Sequence, residues 1–393
     1  MKNLPKGAAG MLGLYLHIPF CVRKCAYCDF LSFGGCREAE MREYVSLLIR
    51  ELAMLPRQRA PLSTVFLGGG TPSILPEGEI ARLLDAVKRR WPLETGAEVS
   101  MECNPGTVTP EKLGEYRAAG VNRLSIGVQS FDDGLLQGLG RIHTAKEAEE
   151  AFFMARAAGF YNINLDLMYG LPGQTCREHL ATVEKAVALS PEHISMYSLI
   201  VEGETEFGRR RAEGTLTLPE EEEEYAMEKA GRELLSRAGY ERYEISNYAR
   251  EGWRCRHNMV YWRCGDYLAA GLGATSSLWE GDRCVMRSDP HVIREYREMI
   301  EKGEYMPLRD VEEGKNAAFI ALMMGLRMTE GVSEKAFAGR FGKTPAELFP
   351  RSIDEGLQKG LLLRENGFLF CSQRGMEIQN DLLSNILEEC DAI

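Results

Sequence analysis

Residues 14–28 read LYLHIPFCVRKCAYC, and the reading of the fold starts there. A short β-like run, 14–18, passes directly into a loop that carries Cys21, Cys25 and Cys28. Beyond the loop, Met41, Tyr44, Val45, Leu48, Ile49 and Leu52 recur at the period of a helix with one buried stripe. The order of strand, loop and helix then repeats. Further β-like runs are expected at 64–67, 97–102, 122–126, 163–167 and 193–199, alternating with helical patterns. Thr109-Pro110-Glu111 supplies an N-cap followed by proline in the first turn, and Pro219 precedes an acidic helix start at 220–224. Six strand–helix units imply parallel strands with right-handed crossovers, in either an open doubly wound sheet or a partial barrel. In both, ligands gather at the carboxyl ends of the strands.

Composition narrows the function classes. The 393 residues are 45% hydrophobic and 27% charged, with 40 Gly and 16 Pro, so the chain should fold throughout, as two domains. Lys plus Arg number 47 against 58 Asp plus Glu, a net charge of −11 that disfavours broad binding to nucleic acid or anionic lipid. The apolar run at 10–20 contains His17 and Pro19 and is too short to span a bilayer. With no membrane anchor and no secretory signal expected, the protein reads as cytoplasmic. Eleven cysteines, three of them close together, suit metal ligation in a reducing compartment better than a disulfide framework.

From about residue 311 the pattern changes to consecutive helices at 313–328 and 333–341, then one opened by Thr344-Pro345 with Glu347 completing a capping box. A hairpin is expected over 361–364 and 368–371, turning at Asn366-Gly367. Three helices and a hairpin predict a winged-helix-like module. Residues 311–393 hold 9 basic and 13 acidic side chains, so docking or a lid role fits better than DNA binding. The expected organisation is a catalytic-type α/β domain over 1–240, a connecting segment over 241–310 and the helical module over 311–393.

The three cysteines are spaced C-x3-C-x2-C on a flexible turn, where soft thiolates select iron–sulfur, zinc or copper(I). A structural zinc site normally takes four protein ligands, whereas a cubane with three cysteines keeps one iron open. With Tyr27 before the third cysteine, the motif resembles the signature of the radical S-adenosylmethionine superfamily. The resemblance implies a partial (β/α)6 barrel and a 4Fe-4S cluster whose open iron is chelated by S-adenosylmethionine. It also implies reductive cleavage of that cofactor to a 5′-deoxyadenosyl radical. In this superfamily the segment matching Gly68-Gly69-Gly70-Thr71-Pro72 contacts the methionyl amine, which marks Gly69, Gly70 and Thr71 as cofactor contacts.

Polar residues recur at later strand ends: Glu102 before Cys103-Asn104-Pro105, Gln129 before Ser130, and Asp166 before Leu167-Met168-Tyr169-Gly170. With Leu139-Gly140-Arg141 and the segment at 170–175, they resemble the oxygen-independent coproporphyrinogen oxidase-like branch. By that resemblance Tyr15 and Glu102 contact the cluster-bound S-adenosylmethionine. Tyr27, Gln129, Arg141 and Asp166 match positions that hold a second molecule in the oxidase.

Phe30 stands where the oxidase carries a further cysteine, and the oxidase's substrate arm before the first strand is missing. Both departures are similar to the HemW-type heme chaperone branch. So is Cys255-Arg256-His257-Asn258-Met259-Val260-Tyr261-Trp262, which resembles that branch's H-N-x-x-Y-W segment. Imidazole commonly ligates heme iron, so His257 is the expected heme ligand with Cys255 second; a hydrogen-bonded place inside a packed wall is the alternative. Thr275 departs from the histidine that many relatives have there. The resemblance implies a heme chaperone that binds heme and passes it to an acceptor protein, with an electron donor for the cluster. The rival readings are a coproporphyrinogen III oxidase and a radical methyltransferase.

Overall fold

The computed structural model of this chain describes residues 11–56 and 60–391; the outer limits of the expected domains lie outside them. All six expected strands form: β1 (Leu12–Ile18), β2 (Leu62–Gly69), β3 (Leu93–Cys103), β4 (Arg123–Gln129), β5 (Ile163–Tyr169) and β6 (His193–Ser198). They pair in sequence order and in parallel, each step crossing over through helical connections. The strands alternate. Val65, Leu67, Val99, Met101, Leu124, Ile126, Leu165 and Leu167 join the main apolar core, to which α1 (Glu38–Met54) contributes Met41, Tyr44, Val45, Leu48 and Leu52. The intervening residues Thr64, Glu98, Ser100, Glu102, Arg123, Ser125, Asn164, Asp166 and His193 give the other face its polar character.

Residues 241–310, read from sequence as a connection, instead lengthen this sheet at both ends. Asp266–Ala270 pairs in parallel with β1 on the side away from β2, and Thr275–Glu280, Arg283–Ser288 and Leu308–Glu312 continue it antiparallel. Asn247–Ala249 and Glu241–Arg242 extend it beyond β6. The resulting 12-stranded sheet stays open between its two edges, the partial barrel that the strand–helix count allowed. Helix Arg256–Trp262 packs under the amino ends of the strands, against residues of β1, β2 and β3.

The C-terminal module has its own core, built on Ala318, Leu322, Leu326, Phe337, Phe349, Ile353 and Leu362. Helices Gly314–Leu326, Glu334–Phe341 and Pro345–Leu348 form as expected, the last with the Thr344–Glu347 capping box. Leu362–Glu365 and Phe368–Cys371 make the hairpin, with Asn366 (φ 51°) and Gly367 (φ 79°) both left-handed at its turn. Helices Pro350–Gln358, Gln373–Glu377 and Gln379–Asp391 complete the module.

Candidate functional site

The cysteine loop leaves the carboxyl end of β1. Its base is pinched by parallel pairing of Phe20–Cys21 with Phe33–Gly34. Ala26 N donates to Leu139 O at 3.1 Å, and Cys28 N to Cys25 O at 3.2 Å, so the turn is fixed from both sides. All three thiols are half-buried. Thr71 Oγ1 donates to Cys21 Sγ at 3.5 Å, and Arg141 Nη1 to Cys25 Sγ at 3.7 Å. Burial pushes the Cys28 thiol up, and the charges of Cys25 and Cys21 add to that push. Thiolates that oppose one another's charge in this way are relieved by a cationic partner. Among the described residues no group of three or more His, Cys, Asp or Glu is arranged to hold a metal ion.

The glycine turn presses on this loop from β2. Gly69 has φ 110°, and a Cβ there would lie 2.4 Å from the His17 ring. A Cβ on Gly70 would lie 2.6 Å from Phe20 O and 2.9 Å from Ile18 O, so that glycine is required by the backbone that leads into the cysteine loop. The N–H groups are spent: Gly69 donates to Glu102 Oε2 (3.0 Å), Gly70 to Ile18 O (2.8 Å) and Thr71 to Phe20 O (2.7 Å). What the segment can offer an ammonium group is carbonyl oxygen.

The expected strand-end residues face the same region. Burial, with Asp166 adding, pushes the Glu102 carboxyl up to about 7 against the opposing Gly69 N–H and Arg123. Tyr15, its phenol also pushed up by burial and Glu102, donates to His17 Nδ1 (3.1 Å), because His17 Nε2 must donate to Leu31 O (2.8 Å). Asp166 accepts from Ser125 Oγ (3.0 Å) and Asn164 Nδ2 (2.7 Å). Gln129 sits at a β-bulge with φ 67°, strained backbone of the kind that collects at functional sites. Arg141 donates through Nη2 to Asn104 Oδ1 and Gly127 O, both at 2.6 Å, and hydrogen-bonds Tyr27, while its buried Nε has no partner. An orphaned, buried guanidinium N–H is a place for an anionic group.

Sequence reasoning missed two members of this site. Asn104 ties Thr71 Oγ1 (2.9 Å) to Arg141, and thereby braces two of the three sulfurs. Its position after a strand-end Glu and before Pro105 was the available signal. His17, met in the sequence as part of the apolar run at 10–20, connects Tyr15 to the cysteine loop at Leu31.

The expectation for His257 and Cys255 is corrected by the packing. His257 is 1% exposed; Nδ1 is hydrogen-bonded to Thr64 Oγ1 (2.8 Å) and Nε2 to Tyr261 OH (2.7 Å), leaving no nitrogen for heme iron. Burial holds its pKa down to about 3. Its ring stacks on Phe66 at 5.1 Å, and Phe66 stacks on Tyr15 at 6.2 Å, so the histidine supports the floor beneath the site. Cys255 is fully buried, and its thiol donates to Glu98 Oε1 at 3.6 Å. Thr275 pairs with Ser288 Oγ at 2.8 Å on the neighbouring strand.

Comparison with known proteins adds three findings. Residues 15–186 match the Radical SAM superfamily, and residues 314–378 match the HemN C-terminal domain. The chain is 38% identical over 380 residues to heme chaperone HemW of Escherichia coli (strain K12), covering 96% of this chain and 98% of that one. It is 37% identical over 385 residues to heme chaperone HemW of Bacillus subtilis (strain 168), covering 96% and 100%. Among solved structures, coproporphyrinogen III oxidase HemN from Escherichia coli superposes with a TM-score of 0.81 over 96% of this chain and 90% of that one. At 21% identity that likeness speaks for the fold alone.

Proposed function

We propose a heme-carrying role for this chain, which belongs to the radical SAM superfamily and, within it, to the HemW heme chaperone family. In this reading Cys21, Cys25 and Cys28 hold a 4Fe-4S cluster. The observation that carries it is the placement of three half-buried thiols on one loop, beside a glycine turn and the buried Glu102 carboxyl, at the carboxyl ends of the parallel strands. Tyr15, Gly69, Gly70, Thr71 and Glu102 are the proposed contacts for S-adenosylmethionine. Glu102 can accept from its polar groups, and carbonyl oxygens of the glycine turn suit its ammonium. Tyr27, Gln129, Arg141 and Asp166 are the proposed contacts for a second molecule, whose carboxylate suits the planar fork of Arg141. When bound, the cluster supplies one-electron chemistry to a sulfonium. The chain's own contribution is to fix the loop that carries the sulfurs, donate to two of them through Thr71 and Arg141, and present a carboxyl whose charge is sensitive near neutrality.

Heme is the cargo in this proposal, an acceptor protein its destination, and a reductant for the cluster a further partner. No helix of the described residues is long and apolar enough to cross a membrane, and a cytoplasmic place suits a thiolate-held cluster. Phe30 is exposed on the loop where the oxidase has its further cysteine, which favours carriage over porphyrinogen oxidation. The test is anaerobic. Cluster-reconstituted protein is titrated with heme, then mixed with a heme-depleted acceptor, beside an assay with coproporphyrinogen III and S-adenosylmethionine. A Soret band, transfer and no vinyl product are expected; vinyl product would replace the reading by the oxidase. Replacing Cys21, Cys25 and Cys28 together by alanine should abolish the cluster's paramagnetic signal, and a full signal in that variant would move the cluster elsewhere.

A further inference from the structure

The chain has six histidines, and burial separates them. His17, His143, His179, His193 and His257 are each at most 8% exposed. Four of these five are hydrogen-bonded through the ring: His17 to Tyr15 and Leu31, His143 to Val128 O, His193 to Asn164 and Tyr243, and His257 to Thr64 and Tyr261. His179 is fully buried under Gly231. His291 alone is exposed.

Its position is not remote. The strand Asp266–Ala270 runs parallel to β1, so the turn at Gly271–Gly273 leaves the sheet at the same end as the cysteine loop. At Gly273 (φ 69°) a Cβ would lie 2.7 Å from the Leu31 side chain and 3.4 Å from His291 Nδ1. The imidazole therefore flanks the loop, next to the residue whose carbonyl His17 holds. The two segments that meet there carry a run of exposed apolar side chains: Val22 (47%), Phe30 (63%) and Phe33 (37%) on the loop, Val292 (49%) and Ile293 (39%) beside His291. Exposed apolar side chains on two adjoining surface segments mark a candidate binding face. Arg294, also exposed, follows at once and suits a carboxylate.

We propose that His291 is the axial ligand through which this chain takes heme iron, on the rim of the cysteine loop. The inference rests on the heme-carrying reading. An imidazole open to solvent, exposed apolar side chains on the adjoining segments and a guanidinium three residues on match the iron, the macrocycle faces and the propionates of heme. The five other imidazoles would each have to be dug out of the core to do the same.

Heme titration followed at the Soret band tests it, with full-length wild type beside His291→Ala and beside Cys36→Ala, which removes the half-buried thiol just after Phe33–Gly34 at the base of the loop. Wild type and Cys36→Ala should bind heme with one saturable band. His291→Ala should bind about tenfold or more weakly, with a shifted band that added imidazole returns toward the wild-type position. Its melting midpoint and cluster iron content should not change. Wild-type affinity and an unmoved band in His291→Ala would overturn the assignment, as would a band that moves in Cys36→Ala instead. A wild type without a saturable band would overturn the heme-carrying reading itself, an outcome distinct from an unaffected variant.

Discussion

Glu102 connects burial to pH. Its carboxyl is pushed from 4.5 up to about 7, chiefly by burial and then by Asp166. As a partner for the donors of a bound cofactor it works best ionised. Affinity for S-adenosylmethionine should therefore rise between pH 6 and pH 8 and level off above, and Glu102→Gln should flatten the profile; calorimetry on reconstituted protein reads both. The sign for folding is opposite. A folded pKa above the unfolded one gives stability that is fully present below about pH 4.5 and lost as pH rises through about 7. Glu102→Gln should consequently gain up to about 3 kcal/mol at pH 8 relative to wild type. A cofactor affinity that is flat across this range in the wild type would remove Glu102 from the contacts. The residue type and its strand-end place were visible in the sequence; the fields of Asp166 and Arg123, from strands further along the sheet, were not.

At the level of elements, what was legible followed from local rules. The six strands and the helix stripe of α1 follow from periodicity, the Thr109 cap from the proline after it, and the Thr344 cap from Glu347 three residues on. Helix Arg256–Trp262 shows where that stops. Its imidazole and aromatics read as a ligand segment because sequence shows residue types and not what they face. Thr64, the partner of His257, lies 193 positions away. A separation of 158 positions likewise hid the helix's start signal, for Glu98 of β3 caps it from outside, accepting from Arg256 N (2.9 Å) and His257 N (3.1 Å). Carboxylates at a helix amino end satisfy its free N–H groups and its dipole. Glu98→Ala should cost about 1 to 3 kcal/mol in chemical denaturation, because a buried donor loses its only acceptor, and Glu98→Gln should cost less. An alanine variant as stable as wild type would show that the helix is held by its apolar side alone.

At the scale of the whole molecule, the same helix joins the two modules. Its inner side meets the barrel through His257 and Tyr261; its far end meets the C-terminal module, where the Arg327 guanidinium lies 4.6 Å over the Trp262 ring. Arg263 pairs with Glu330 at 2.7 Å, Arg254 reaches the same carboxylate at 3.5 Å, and Thr329 N donates to Tyr243 O at 3.1 Å. Beneath these polar contacts Tyr243, Met259 and Met328 form a small apolar cluster of their own. The acidic balance of the module fits docking on Arg254 and Arg263, which flank this helix, better than contact with phosphate. A cation over an indole contributes about 0.5 to 2 kcal/mol, and an exposed ion pair about 1 kcal/mol or less. Arg327→Ala combined with Glu330→Ala should thus loosen the junction without unfolding either core. Amide exchange should quicken together in Arg256–Trp262 and Gly314–Leu326, while the strands β1 to β6 keep wild-type protection. Exchange that quickens in the C-terminal helix alone would show that the module docks without restraining the barrel floor, and that the floor's order comes from Glu98, Thr64 and Phe66 instead.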